Sequence, residues 1–150
     1  MGLNLLFTTT NDGEEKMKTR IWNPRLSTIL TDDIGKGCVI HSHVWIGKDV
    51  KIGDRVKIQA FSFIPEGVTL EGDVFIGPRV TFTNDPELIC GGRDFWKPTL
   101  VKRGAKIGAC VCVLAGVTIG QDVMVGMGSV VLTNIPNGET WAGVPARRIK

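Results

Sequence analysis

Residues 101–136 read VKRGAK IGACVC VLAGVT IGQDVM VGMGSV VLTNIP, and the repeat in this stretch decides the fold. Written in blocks of six, every block opens with Val or Ile, and its fifth residue is small or β-branched. The same period extends upstream, with apolar openers at Ile34, Ile40, Ile46, Ile52, Ile58, Ile64, Leu70, Ile76 and Phe82. This internal repeat has to be explained before any strand or helix is assigned.

A period of six matches neither the 3.6-residue period of an amphipathic helix nor the alternation of a long strand. It matches a short strand followed by a bend, because β-branched residues favour strands while Gly and Asp favour bends. Three such sides close a coil of 18 residues, with the next coil paired in parallel about 4.8 Å above it. The sequence therefore predicts an all-β solenoid of about five coils, stable only as a stack.

The repeat is interrupted once, after Phe82. The next opener is expected at position 88 but is found at Val101, thirteen residues later than the period allows. The interruption, residues 83–100, contains polar and aromatic side chains: Asn84, Asp85, Arg93, Phe95 and Trp96. A single polar and aromatic loop in a regular lattice indicates that this loop carries the function.

Length and composition indicate one soluble domain. The chain has 150 residues, of which 43% are hydrophobic and 22% charged, and its net charge of +3 does not by itself indicate nucleic-acid binding. Residues 1–33 precede the repeat and are predicted to be a partly disordered lead-in, followed by a domain over residues 34–150. No apolar run approaches the roughly 20 residues of a membrane span, and no signal peptide is visible, so we expect a cytoplasmic protein.

The two histidines lie close together in the segment IHSHVW. His41 and His43 occupy wall or corner positions, where they are either surface imidazoles or functional groups, as a general base or a substrate contact across a subunit boundary. A zinc site with three His ligands is excluded, because the chain has two His. Cys110 and Cys112 lack a second pair at zinc spacing, and Cys38 is expected to be a small buried thiol, so no metal is expected.

Stacking at 18 residues, with allowance for the thirteen extra ones, brings four side chains to one edge: Glu66, Asn84, Ala115 and Thr133. A carboxylate and a carboxamide followed by small residues could hold a substrate amine beside a long, narrow ligand. At the C-terminus, Arg147, Arg148 and Lys150 form either a solvated basic end or a site for a phosphate-bearing ligand.

The blocks of six resemble those of the hexapeptide-repeat acyltransferases, whose fold is a left-handed parallel β-helix. Four segments are similar, more closely, to the nucleotide-sugar N-acetyltransferases that act on UDP- or dTDP-linked 3-amino sugars: VFIGPRVTFTND (74–85), PTLVKRGAKIGA (98–109), VLAGVTIG (113–120) and GVPARRI (143–149). The resemblance covers residues 34–150. It implies acetyl-CoA as co-substrate, no metal, a homotrimer with active sites between subunits, and a role in cell-surface polysaccharide synthesis, such as that of lipopolysaccharide.

The same resemblance implies roles for individual residues. Asn84 is expected to contact the acceptor amine, with Asp85 and Glu66 as neighbours that orient it. Arg93 is a candidate for the diphosphate. Since the loop contains no His, the departing CoA sulfur is expected to take the proton, with Asp85 or the His43 of an adjoining chain as the alternative base.

The cofactor is expected along the later coils. Pantetheine is assigned to Ala115, Gly116 and Thr133, and the N–H of Gly116 is a candidate donor to the oxyanion. The adenine and phosphate end is assigned to three residues near the C-terminus: Pro145, Arg147 and Arg148.

Two other functions remain open at this point. One is a different hexapeptide acyltransferase, such as a sugar or serine O-acetyltransferase with His as base. The other is a non-catalytic scaffold, although a scaffold needs neither the polar loop nor the basic end. The segment PELICGGRDFW (86–96) departs from the relatives, so the sugar stays undetermined.

Overall fold

The fold is described from a computed structural model over residues 18–88 and 92–150. Its regular elements are two 3₁₀ turns, Pro24–Leu26 and Arg93–Phe95, and very short strands. The strands are β1 (Arg20–Ile21), β2 (Thr28–Ile29), β3 (Val39–Ile40), β4 (Trp45–Ile46), β5 (Lys51–Ile52), β6 (Lys57–Ile58), β7 (Phe63–Ile64), β8 (Val68–Leu70), β9 (Phe75–Ile76), β10 (Thr81–Phe82), β11 (Thr99–Val101), β12 (Lys106–Ile107), β13 (Cys112–Val113), β14 (Thr118–Ile119), β15 (Met124–Val125), β16 (Val130–Val131), β17 (Thr140–Ala142) and β18 (Arg147–Arg148).

Three parallel sheets form the sides of a solenoid. The first sheet runs β1-β3-β6-β9-β12-β15-β17, the second β2-β4-β7-β10-β13-β16, and the third β5-β8-β11-β14. Regular neighbours lie 18 residues apart, as in the pair Ile40 and Ile58. Across the interruption, Leu70 pairs with Val101, 31 residues later, so the thirteen additional residues leave the stack and return in register. The all-β, parallel, stacked architecture with one inserted loop is therefore confirmed.

The stack begins earlier than predicted and has about seven turns rather than about five. Strands β1 and β2 precede Ile34 and pair with β3 and β4. The spacing explains why the period missed them. Ile21 pairs with Ile40, 19 positions later, and Ile29 pairs with Ile46, 17 positions later. Residues 1–17 lie outside the described residues, so the predicted disorder there stays a prediction.

The inward columns form the core. The block openers from Ile40 to Ile135 that are in β strands, and most fifth-position residues, are at most 3% exposed. Polar members of these columns have partners; for example, the Ser62 hydroxyl lies 2.9 Å from Gln59 O and 3.0 Å from Gly77 O. The expected burial of Cys38 is confirmed, and burial raises the pKa of its thiol. Since each coil buries its apolar residues against the next, stability belongs to the stack.

One exposed corner carries an ion ladder. Arg55 donates to both carboxylate oxygens of Asp73 at 2.6 and 2.8 Å, and Arg103 Nη1 donates to Asp73 Oδ2 at 2.8 Å. Asp73 thus links the coil before it to the first coil after the loop. The Arg55 guanidinium, and after it that of Arg103, holds the pKa of the Asp73 carboxyl below its usual value.

An antiparallel hairpin closes the C-terminal end of the stack. Strand β18 pairs with β17, and Glu139 ties the hairpin together. Its carboxylate accepts a hydrogen bond from Trp141 Nε1 at 2.7 Å and lies 3.4 Å from Arg148 Nη1. Over residues 18–88 and 92–150, no helix is long and apolar enough to cross a membrane.

We expect Ile58→Ala to lower the free energy of unfolding by about 2–5 kcal/mol, because it leaves a cavity between stacked coils. Ile58 is fully buried, whereas Lys57 beside it is exposed. Lys57→Ala is the matched control and should change stability by less than about 0.5 kcal/mol. Urea unfolding measures both values, and equal losses would contradict the inward stacking.

We expect Asp73→Asn to lower stability at pH 7 and to make its decline in acid shallower. A carboxyl with a lowered pKa stabilises the fold above its ordinary value of about 4, and this stabilisation is lost as pH falls through the folded pKa. Thermal unfolding followed from pH 7 to about 2 measures the effect. Asp49→Asn, at an exposed carboxylate outside the ion pairs of the described residues, is the control and should retain the wild-type slope.

Candidate functional site

The loop leaves the solenoid at the corner between the second and third sheets. The registers Phe63–Thr81, Thr81–Cys112 and Cys112–Val130 fix the alignment of successive coils there. Three residues beyond each of these strand positions lie the side chains predicted to share an edge: Glu66, Asn84, Ala115 and Thr133. This alignment is confirmed, and we call these four residues the loop corner. Their roles in function stay predictions.

Two predicted substrate residues meet at the loop corner. Arg93 Nη2 lies 3.5 Å from Glu66 Oε1, and the side chain of Glu66 is only 12% exposed while that of Arg93 is 62% exposed. Behind Glu66 lies Gly47, where a Cβ would come within 3.0 Å of Glu66 Oε2. The guanidinium of Arg93 also lies 5.3 Å from the ring centre of Trp96, within cation–π distance. The site therefore has a sheltered carboxylate facing an exposed cation.

Asn84 is held at the neck of the loop. Its carbonyl accepts a hydrogen bond from Lys97 N–H at 2.9 Å, which closes the loop across its base. The next residue, Asp85, accepts from the N–H of Glu87 at 2.9 Å, as in an Asx turn. Asp85 thus shapes the loop locally, and its predicted catalytic role stays a prediction.

Two threonines anchor the ends of the loop to the next coil. Thr83 Oγ1 accepts from Ala115 N–H at 2.9 Å, and Thr99 Oγ1 accepts from Gly116 N–H at 3.1 Å. The predicted oxyanion donor, the N–H of Gly116, is therefore engaged by a hydroxyl in this structure. The repeat gave no sign of this, because neither threonine departs from the small or β-branched pattern.

Lys97 is a further residue that the sequence did not single out. Gly116 has a φ of +81°, and a Cβ added there would lie 3.1 Å from the Cβ of Lys97 and 3.3 Å from its Cδ. The stem of Lys97 thus lies over Gly116, the residue assigned to pantetheine. Only the absence of a side chain at position 116 makes this close approach possible.

The two histidines are not brought to the loop corner of their own chain. His43 shares its corner with Phe61 at the start of the second-sheet strands, whereas Glu66 follows the end of β7. The ring of His43 stacks on Phe61 with centroids 4.8 Å apart, and that of His41 stacks on Trp22 at 6.2 Å. A contact between His43 and a substrate at the loop corner would therefore require another copy of the chain.

The C-terminal residues assigned to the cofactor lie at the end of the second sheet. Val130 N–H donates to Gly143 O at 3.0 Å and Ala146 N–H donates to Val130 O at 2.8 Å, so the turn containing Pro145 covers β16. Thr133 follows β16 and is exposed. The two arginines are partly engaged, since Arg148 pairs with Glu139 and Arg147 Nη1 donates to Ala146 O at 2.9 Å.

Within residues 18–88 and 92–150, no three His, Cys, Asp or Glu side chains are grouped so that they could hold a metal ion. Cys110 and Cys112 are free and exposed. Cys90 lies outside the described residues.

No family model matches the chain, but individual proteins do. It is 34% identical over 126 residues to a serine acetyltransferase from Buchnera aphidicola, covering 84% of this chain and 43% of the relative. It is 38% identical over 88 residues to the galactoside O-acetyltransferase of Escherichia coli, covering 55% of this chain and 43% of the relative. The chain belongs to the hexapeptide-repeat acetyltransferase family. It spans less than half the length of these two relatives.

A solved structure supports the fold of this family. A mutant of perosamine N-acetyltransferase from Caulobacter crescentus, in complex with CoA and GDP-perosamine, superposes with a TM-score of 0.75 and 25% identity. The match covers 90% of this chain and 58% of that one. The predicted left-handed parallel β-helix of this hexapeptide-repeat chain is thereby confirmed.

We expect Gly116→Ala to be more destabilising than Gly128→Ala. Both glycines have positive φ, +81° and +70°, so alanine costs about 1–2 kcal/mol at either position. A Cβ at Gly128 meets nothing within 4 Å, whereas at Gly116 it crowds Lys97. Thermal unfolding of both variants measures the difference. Adding Lys97→Gly to each variant should remove it, and equal losses in the single variants would contradict the packing of Lys97.

Proposed function

We propose that the protein is an acyltransferase that moves the acetyl group of acetyl-CoA to the amino group of a nucleotide-linked amino sugar. The observation that carries this proposal is the pair of opposite charges at the loop corner. The sheltered carboxylate of Glu66 suits a cationic amine, and the exposed guanidinium of Arg93 suits a diphosphate. The perosamine N-acetyltransferase, which has the same fold, binds CoA together with a nucleotide-linked sugar.

In this proposal, Glu66 and Asn84 act on the acceptor. Glu66 attracts the ammonium form of the amine, and the carboxamide oxygen of Asn84 accepts a hydrogen bond from the neutral amine and directs its lone pair. Because a carboxamide is not a base, Asn84 cannot remove the proton. The amine nitrogen attacks the thioester carbonyl carbon, the C–N bond forms, the C–S bond breaks, and the proton of the amine passes to the departing sulfur.

The donor is proposed to lie along the following coils. Ala115, Gly116 and Thr133 would contact pantetheine, and the N–H of Gly116 would reach the oxyanion only after leaving Thr99 Oγ1. Pro145, Arg147 and Arg148 would hold the adenine and phosphate end. The turn that covers β16 supports this assignment, since it places these residues at the end of the sheet that leads to Thr133.

The proposal includes a homotrimer with active sites between subunits. Its support is the outer face of the second sheet, where Trp45 and Phe63 stack at 4.8 Å beside the pair His43 and Phe61. Phe61 is 55% exposed and Phe63 is 39% exposed. Burial of this aromatic surface by a second copy would bring a foreign His43 toward a loop corner. Cytoplasmic location and a role in the synthesis of lipopolysaccharide or another cell-surface polysaccharide are part of the same proposal.

A second candidate is an O-acetyltransferase that acts on serine or a sugar. The relatives of the chain favour it, since they are serine and galactoside acetyltransferases. In that reaction the acceptor hydroxyl needs a general base, and His43 or His41 would supply it. The two candidates therefore differ in whether turnover requires an imidazole or the Glu66–Arg93 pair.

The deciding experiment measures thiol release from acetyl-CoA with UDP-, dTDP- and GDP-linked amino sugars, serine and a galactoside as acceptors. We expect turnover with one of the nucleotide-linked amines. Turnover with serine or the galactoside alone, abolished by His43→Ala or His41→Ala, would establish the second candidate instead. If no acceptor is used and calorimetry detects no acetyl-CoA binding at millimolar ligand, the chain is a scaffold.

We expect Asn84→Ala to lower kcat/KM by about 100-fold, as the loss of a positioning group typically does. The fold should survive, because Asn84 is bound through its main chain. Lys106→Ala, at an exposed position on the first sheet, is the control and should retain wild-type turnover. Near-normal turnover in the Asn84 variant, with unchanged thermal unfolding, would remove Asn84 from the mechanism.

A further inference from the structure

Corner residues in this solenoid follow a regular hydrogen-bonding rule. Where a corner residue has positive φ, its N–H donates to a carbonyl 19 positions earlier, in the preceding coil. Arg55 N–H donates to Lys36 O at 2.7 Å, and Arg79 N–H donates to Ala60 O at 3.0 Å. Beyond the loop the rule persists across the thirteen extra residues, since Cys110 N–H donates to Pro78 O at 2.9 Å.

Gly116 breaks this rule, although it also has positive φ. Its regular partner would be the carbonyl of Asn84, which stands to Gly116 as Pro78 stands to Cys110. That carbonyl instead accepts from Lys97 N–H at 2.9 Å, and Gly116 N–H donates to Thr99 Oγ1 at 3.1 Å. The loop has therefore taken the acceptor that Gly116 would otherwise use, and a hydroxyl has replaced it.

The position of Thr99 shows that its hydroxyl is not there for packing. In the other coils the same inward position is occupied by buried valines: Val50, Val68 and Val117. Thr99 is itself only 2% exposed, and valine has nearly the same shape. Burying a hydroxyl is unfavourable unless it is hydrogen-bonded, so the bond to Gly116 accounts for a threonine at this position.

Thr83 does the same at the other end of the loop. Its hydroxyl accepts from Ala115 N–H at 2.9 Å and lies 3.4 Å from Val113 O. In neighbouring coils this place is held by residues without a hydroxyl, Pro65 and Leu114. Consecutive amides of one turn are thus bound by the residues that begin and end the loop.

We infer that Thr83 and Thr99 are positioning residues that clamp the turn Ala115–Gly116 to both ends of the loop. They fix the separation between Asn84 and this turn, whose regular main-chain bond is missing. The consequence for catalysis rests on the proposed function, in which Asn84 directs the acceptor and the turn contacts the donor. The clamp itself does not depend on that function and can be tested without substrate.

The first test is amide hydrogen exchange, resolved at Gly116 by NMR. Thr99→Val should speed exchange at Gly116 about tenfold, as expected for the loss of one hydrogen bond. Thr99→Ser retains the hydroxyl and should stay within twofold of wild type. Thr81→Val is the control, because Thr81 lies on the outer face of β10 and its hydroxyl bonds to none of the described residues. Exchange at Gly116 within twofold of wild type in Thr99→Val overturns the clamp.

The second test is steady-state kinetics with the acceptor that supports thiol release. Thr99→Val should lower kcat about tenfold with KM for acetyl-CoA within twofold, and Thr99→Ser should restore kcat. Faster exchange at Gly116 with unchanged kcat overturns the positioning role. If the wild type releases no thiol with any acceptor, the proposed function fails, and the exchange experiment alone decides whether the clamp exists.

Discussion

The structure depends on apolar side chains that stack on their counterparts one coil away. Each coil is too small to enclose a core, and its inward Ile, Val and Leu residues leave water only when another coil covers them. This constraint fixes the main chain, because strands two or three residues long hold their direction only through neighbours on both sides. It also explains why each corner is a single tight turn, with positive φ at residues such as Arg55 and Asp73. A loop can be tolerated only if both its ends return to the same register.

The loop meets this requirement and creates a corner that differs from all the others. It removes a regular main-chain acceptor, introduces Lys97 above Gly116, and brings Arg93 to the sheltered carboxylate of Glu66. The chemistry of the proposed site therefore arises from a local defect in a repetitive scaffold. Asn84 lies at this defect, where the main chain leaves the stack. The regular faces provide its rigidity, since Ala115 and Thr133 occupy fixed places on coils that pack as in the rest of the molecule.

Much of this architecture could be predicted because the inward positions repeat at a constant spacing. The same spacing aligned Glu66 with Asn84 before any coordinates were considered. It failed at the first two strands, where Ile21 and Ile29 lie 19 and 17 residues from their partners. It could not indicate the bond between Thr99 and Gly116, because threonine and valine are equivalent in a pattern that records only size and branching. Nor could it separate His43 from Glu66, since their places on different corners follow from the direction of the chain around the coil.

The ion ladder at Asp73 has a consequence for how such a protein can change. Asp73 is bound by Arg55 from the coil below and by Arg103 from the coil above, and the whole loop lies between Asp73 and Arg103 in sequence. The two flanks of the insertion are therefore fastened to each other at a corner that the loop does not touch. A segment held in this way behaves as an exchangeable cassette: its length and side chains can be rewritten while the column beneath it stays intact. New acceptor preferences could then evolve, or be engineered, by replacing one stretch of chain.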